Sequence, residues 1–491
     1  MSINKIRYSW QWSIVIAIFL VSMVIRFAEA KKSDPPDVFP DSQLSKIELL
    51  GKYIFFDKIS NPSRMSCSTC HTPEAGWAYP VSGVNQHQVV ATGADPHRSG
   101  GRKPPSNSYA TFIPSFTNGN GGNFWDGRAE GNQYDSPKAG VTKHIGDEVY
   151  YTNGGELISD IVTVTGDTFV GDYDDFFGPT ADQALNPMPN ILEQNIERQA
   201  VCQHVESASY AELYQIVWGV PIDCSDSEVV QSNPDVDSPP EKAFDISFKR
   251  LMLTVCAYQA SDQVNSFSSK LDAAIAAAPK DENGRFEFPL AGLTEQENAG
   301  HDLFYGGGFA GAGCANFCHN SGAIGGPNGN RTDVKELYTA NGYFNLGIPA
   351  NPEIPGFDPD TPDLGLYQHT GVVGDEGEFK IPTMRNVDKR PGEGFTKAYG
   401  HNGWFKSLES IVHFYNTRDV KDVCPDHITT EKDALKNDCW PPPEVDENVT
   451  EAKLIGNMGF SADQEAAIVA YLKTLTDKYT PKPPQPYKPS M

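Results

Sequence analysis

Positive charge is scarce in this chain. Lys and Arg number 39 against 64 Asp and Glu, which leaves a formal net charge of −25 over 491 residues. Such a surface repels polyanions, so nucleic acid is excluded as a partner and a basic redox protein is favoured. Long apolar runs are equally few. The one such run, Ile14 to Ile25, follows Lys5 and Arg7 and precedes Ala28-Glu29-Ala30, a small-x-small cleavage pattern. Residues 1–30 therefore read as a signal peptide, with no membrane span expected after its removal. They carry a net +2, so the mature chain stands near −27. The expected location is the periplasm or the cell surface.

What the chain does have is cysteine, nine in all, at 67, 70, 202, 224, 256, 314, 318, 424 and 439. Export permits disulfides, and Cys202 with Cys224 and Cys424 with Cys439 are spaced to pair locally. Cys256 falls inside a helical pattern and reads as a buried thiol. Cys67-Ser68-Thr69-Cys70-His71 is a Cys-x-x-Cys-His run. Alone, a Cys-x-x-Cys pair suits a zinc knuckle or a redox dithiol. The adjacent His and the exported context favour covalent haem c, two thiols on the porphyrin and one imidazole on its iron. The second motif, Cys314-Ala315-Asn316-Phe317-Cys318-His319, has one residue more between its cysteines. A bulged turn would have to absorb it; alternatively Cys314 leaves the haem and pairs with Cys256.

A short phrase repeats ahead of each motif. Gly51-x-x-Ile54-Phe55-Phe56 precedes Cys67, and Gly300-x-x-Leu303-Phe304-Tyr305 precedes Cys314. Each reads as an amphipathic helix feeding a cysteine motif, which implies two haem domains. The segment from Ser225 to Glu241 is acidic, contains Pro234, Pro239 and Pro240, and reads as an interdomain linker. Phe244, Phe248, Leu251, Val255 and Tyr258 follow at helical spacing. Thr294-x-x-Glu297 and Ser461-x-x-Gln464 are capping boxes. The expected fold is mainly α: two cytochrome c-like haem domains with long loops and a small β insertion. The boundaries are a signal peptide at 1–30, an N-terminal haem domain at 31–241, a C-terminal haem domain at 242–478, and an extended, disordered Pro-rich tail at 479–491. The N-terminal domain holds an insertion near 130–180, which includes Ile161 to Val164 and Asp172 to Asp175, and the acidic linker from 225.

With these motifs in view, the chain resembles the bacterial di-haem cytochrome c peroxidase family, which includes the MauG-type maturases. The resemblance rests on LGKYIFFD (50–57), SCSTCH (66–71), Phe124-Trp125-Asp126-Gly127-Arg128, FKIPTMRNV (379–387) and HNGWFKSLESIVHFYN (401–416). It implies that Trp125 couples the two haems electronically, where composition alone would make it a core aromatic. It also implies that Gln183 and Glu193, ten apart, face the peroxidatic haem, with Glu193 as general acid–base. On the residues alone, Glu193 is one more solvated acid. The position after Leu408-Glu409-x-x-Val412 is Met in electron-transferring family members and Tyr in MauG-type ones. Here it is Tyr415, with His413 or Met384 as alternative ligands. A phenolate favours the ferric state and lowers the potential, unlike a thioether. His97, in the loop before Arg102, is the candidate distal ligand of the first haem, ahead of His87. Arg102-Lys103-Pro104-Pro105 puts a cation where the family binds calcium, so that metal is not expected.

Three functions follow. One is a peroxidase that reduces hydrogen peroxide with electrons from a small c-type cytochrome or cupredoxin, using Glu193, Gln183 and Trp125. Its irons would be held by His71, and by His319 with Tyr415. The second is a MauG-like oxidase that withdraws electrons from Trp or Tyr of a partner protein. The third, a non-catalytic electron carrier, leaves Gln183, Glu193 and the Phe-Trp-Asp-Gly-Arg turn unexplained.

Overall fold

The computed structural model describes residues 39–131, 143–145, 148–150, 178–229, 241–282, 284, 286–306, 313–320, 336–426, 428–450 and 455–488. The expected signal peptide, residues 161–164 and 172–175 of the insertion, and residues 230–240 of the linker lie outside them. Among the described residues no helix is long and apolar enough to cross a membrane. Residues 39–43 contribute one 3₁₀ turn, Asp41–Gln43.

Residues 44–491 form a mainly helical unit with two hydrophobic cores. Helix α1 (Lys46–Phe56) opens on a capping box: Ser45 Oγ accepts the Glu48 N–H and Glu48 Oε2 accepts the Ser45 N–H. Its Ile47, Leu50, Ile54 and Phe55 recur every three or four residues and are buried. They pack on α2 (Ala243–Ala260), as do the helices Pro179–Ala184 and Arg198–Glu206. Helix α2 was expected to open the C-terminal domain, yet it is the axis of the first core. Its buried positions run almost without a break from Ile246 to Gln259, so it needs neighbours on every side. Core membership changes after Val264, not before Ala243.

The second core repeats the arrangement. Helix α3 (Glu295–Tyr305) packs on the last helix, α5 (Ala462–Lys473), and α4 (Leu408–Thr417) packs against α5 as well. Both expected capping boxes, Thr294 with Glu297 and Ser461 with Gln464, are formed. The repeated Gly explains the repeated phrase. A Cβ on Gly51 would lie 1.8 Å from the Thr254 carbonyl oxygen, and one on Gly300 would lie 1.9 Å from that of Ala467. Each crossing is therefore too close for any side chain.

Strands are short. A two-stranded antiparallel pair, Lys143–Ile145 with Glu148–Tyr150, lies within the insertion, and another joins Tyr343–Phe344 to Phe379–Lys380. Disulfides join Cys202 to Cys224 and Cys424 to Cys439, both as the spacing suggested. The tail differs from expectation. It is extended but docked on the first core: the Tyr53 hydroxyl donates to the Gln485 carbonyl at 2.7 Å, and Tyr487 packs edge-on against the Tyr53 ring. A Pro-rich segment has little chain entropy to lose, and Tyr487 supplies the apolar anchor.

Candidate functional site

Two cavities open beside the two cysteine motifs. The first is lined by Cys67, Cys70 and His71 on one side and by Gln183 and Glu193 elsewhere on its wall. The short helix Cys67–Cys70 presents both thiols to this cavity, and neither sulfur is in a disulfide. Burial pushes the thiols up to about 11 for Cys67 and about 12 for Cys70, so both remain protonated. His71 Nδ1 lies 3.2 Å from the Trp77 carbonyl oxygen, which can only accept; Nδ1 therefore carries the proton. Burial also pulls its pKa down to about 4, so the ring is neutral and Nε2 offers a lone pair. Asn190 Nδ2 donates to Glu193 Oε1 at 3.0 Å, which orients that carboxylate.

The second cavity is lined by Cys314, Cys318, His319 and Tyr415. Both cysteines are free, and Cys256 is a separate buried thiol in α2, so the Cys314–Cys256 pairing does not form. The extra residue is absorbed by a wider turn. His71 N–H closes on the carbonyl four residues back, Cys67, at 3.0 Å; His319 N–H closes on the one five back, Cys314, at 2.9 Å. His319 Nδ1 lies 2.9 Å from the Tyr338 carbonyl, and burial pulls its pKa down to about 4, matching His71. Helix α4 brings Tyr415 to the same cavity. His413, two residues earlier, turns away and meets Glu465 at 3.0 Å, so it does not share the cavity. Met384 does line it, as does Met458.

Both donor sets suit covalent haem. Each cavity combines two free thiols with a neutral imidazole whose distal nitrogen is fixed by a backbone carbonyl. Trp125 borders both cavities. Its indole N–H donates to the Lys103 carbonyl at 2.7 Å, and its own carbonyl accepts the Lys380 N–H at 2.9 Å. Lys103 lines the first cavity, with its ammonium 5.5 Å from the Trp125 ring centre, and burial pulls it down to about 8. His97 is exposed and does not line the first cavity; His87 is on the surface beside Glu353.

Other contributors escaped the sequence reading. Arg102 pairs with Asp126 at 2.7 Å and with Asp363 at 2.6 Å, clamping the Trp125 turn to a loop from the other half of the chain. The two arginines around it, Arg128 and Arg102, hold the Asp126 carboxyl well below the usual range despite its burial. Glu444 borders both cavities and meets His401 at 3.3 Å. Asp126 sits inside a recognisable motif, but Asp363 and Glu444 carry no local signal.

Comparison with known proteins decides the family. Residues 45–279 match the family described as di-haem cytochrome c peroxidase. The methylamine utilization protein MauG of Paracoccus denitrificans is 27% identical over 443 residues, 87% of this chain and 88% of that protein. The family match thus covers residues 45–279, and the likeness to MauG extends over most of the chain. The cytochrome c551 peroxidase of Nitrosomonas europaea is 25% identical over 184 residues, covering 38% of this chain and 35% of that protein. Among solved structures, the diheme peroxidase BthA from Burkholderia thailandensis shares the fold with a TM-score of 0.57 at 22% identity, covering 90% of each chain. Of the two cysteine motifs, Cys67 to His71 falls inside the matched residues and Cys314 to His319 beyond them.

Proposed function

We propose that this chain is an exported, periplasmic di-haem enzyme that reduces hydrogen peroxide with electrons from a small c-type cytochrome or cupredoxin. Cys67, Cys70 and His71 would hold one haem c, and Cys314, Cys318, His319 and Tyr415 the other, in two cytochrome c-like domains. Bound haem would supply the iron that takes up peroxide at the first site and an electron store at the second. The remaining chemistry belongs to the chain. Glu193 takes the proton from the near peroxide oxygen and returns it to the far one, with Gln183 orienting the substrate beside it. His71 and His319 stay neutral because burial disfavours the charged ring, while the backbone acceptor on Nδ1 fixes which nitrogen keeps the proton. Trp125 carries electrons between the sites.

The observation that carries this reading is Trp125 bordering both cavities while Gln183 and Glu193 line only the first. A simple electron carrier needs no acid–base pair there. In steady state, Glu193→Gln should lower peroxide-dependent oxidation of a reduced c-type cytochrome by about 10²–10⁴-fold. An unchanged rate would remove Glu193 from the mechanism.

A second reading is favoured by Tyr415, which lines the second cavity, and by His97, which does not reach the first. In it the enzyme is a MauG-like oxidase that draws electrons from Trp or Tyr of a partner protein. One equivalent of peroxide added to the diferric holoprotein separates the two. A rapid, long-lived spectral change without reductant supports the oxidase; no change until the second site is reduced supports the peroxidase.

A further inference from the structure

The carbonyl that holds His319 belongs to Tyr338, and Tyr338 begins a trio of buried tyrosines. The Tyr471 hydroxyl donates to Tyr338 Oη at 3.2 Å, and the two rings lie 6.5 Å apart. The Tyr305 ring lies 6.4 Å from that of Tyr471. Phe304 sits among them, 5.4 Å from Tyr471 and 6.4 Å from the His319 ring. Tyr305, Tyr338 and Tyr471 are 2%, 1% and 0% exposed. Glu336 is wholly buried beside them; its Oε1 accepts the Tyr338 N–H at 2.8 Å, and its charge acts on all three phenols. The Arg385 guanidinium, 5.8 Å from the Tyr338 ring, is neutralised by a two-pronged pair with Asp272.

The first site has the same plan with different chemistry. His71 Nδ1 meets the Trp77 carbonyl, and Trp77 packs with Phe55 and Tyr258. The charge facing that cluster is a cation, Lys52, 6.0 Å from the Tyr258 ring. A cation opposes removal of an electron from a ring. Three phenols where phenylalanine would fill the same space are costly to bury without a use for the hydroxyl.

We propose that Tyr338, Tyr471 and Tyr305 are an electron reserve for the second haem site, yielding a tyrosyl radical when that site is oxidised and no outside donor is docked. This rests on the reading of the second cavity as a haem site. One phenol O–H bond breaks. Its electron passes through the Tyr338 main chain and the His319 ring to the oxidised second-site iron, which is reduced by one electron, and its proton goes to the Glu336 carboxylate. A one-electron donor of the redox-protein class later restores the phenol, with the proton returning from Glu336. The trio thus protects the polypeptide when peroxide arrives before reductant.

The test uses holoprotein with two haems, grown with ring-deuterated tyrosine, oxidised and freeze-trapped for electron paramagnetic resonance. Two oxidants are used, peroxide and photogenerated ruthenium(III) tris-bipyridine, so the outcome does not depend on peroxide turnover. A tyrosyl signal narrowed by deuteration is expected in the wild type, retained in Tyr258→Phe, and lost in the Tyr305→Phe/Tyr338→Phe/Tyr471→Phe variant. The single variants Tyr471→Phe and Tyr305→Phe, each of which should weaken the signal, serve if the triple variant does not load both haems. A radical under the ruthenium oxidant without peroxide turnover would sink the peroxidase reading and leave the reserve standing. No tyrosyl signal under either oxidant, or an undiminished one in the Phe variants, overturns it.

Discussion

The Trp125 indole N–H donates to the carbonyl oxygen of Lys103 at 2.7 Å, while the Lys103 ammonium lies 5.5 Å from the centre of that indole. The same residue thus fixes the ring from its main chain and faces it with a positive charge. The arrangement anchors the indole in the walls of both cavities.

Replacing Trp125 by Phe removes that donor and leaves most of the ring. Fold stability should drop by only about 0.5–1.5 kcal/mol, the worth of one hydrogen bond. Electron transfer from the second site to the first should slow, while the pre-reduced first site still consumes peroxide in stopped-flow mixing. If transfer between the sites keeps its wild-type rate, Trp125 is a wall and nothing more.

Tyr415→Met exchanges a phenol for a thioether at the second cavity. The second-site midpoint potential in a redox titration should rise by on the order of 0.1 V or more, within the roughly 0.8 V range that axial ligands command. No rise would transfer the ligand role to Met384 or Met458, which line the same cavity.

Gly51→Ala and Gly300→Ala should each destabilise the fold, by about 1–3 kcal/mol or more, because each new methyl meets a backbone carbonyl. Thermal melts should show both losses. Gly83→Ala, at an open position, serves as the control with little or no change.

Lys389 reports on pH. Burial pulls its pKa down to about 8 from 10.5, and it lines neither cavity. Between those values the unfolded chain holds a proton that the folded chain has released. Unfolding then takes up a proton, so stability rises with pH from about 8 to about 10.5, by at most about 1.4 kcal/mol per pH unit. Denaturant melts across that range should show a shallower rise in Lys389→Met than in the wild type.

The sequence by itself determined the chemistry that must occur on contiguous residues. Cys67 to His71 and Cys314 to His319 are legible because thioether attachment and axial ligation, the roles proposed for them, need fixed covalent spacing. The capping boxes, the local disulfides and the repeated Gly-x-x-aliphatic-aromatic phrase are legible for the same reason, being short-range patterns of hydrogen bonding or helix period. Tyr415 is singled out only through the family resemblance, and of Tyr415 and His413 the structure brings Tyr415 to the second cavity.

Tertiary structure alone decided what lies between the sites. Asp363 closes on Arg102 across 261 residues of chain, and Glu444 reaches both cavities from a loop with no motif. Helix α2 joined the first core although it follows the acidic linker, because burial on all its faces is satisfied there and nowhere else in the sequence order. The docked tail and the Tyr305–Tyr338–Tyr471 trio are of the same kind. Their partners come together only when distant helices cross, and a crossing is fixed by packing and steric contact, which no local pattern of residues encodes.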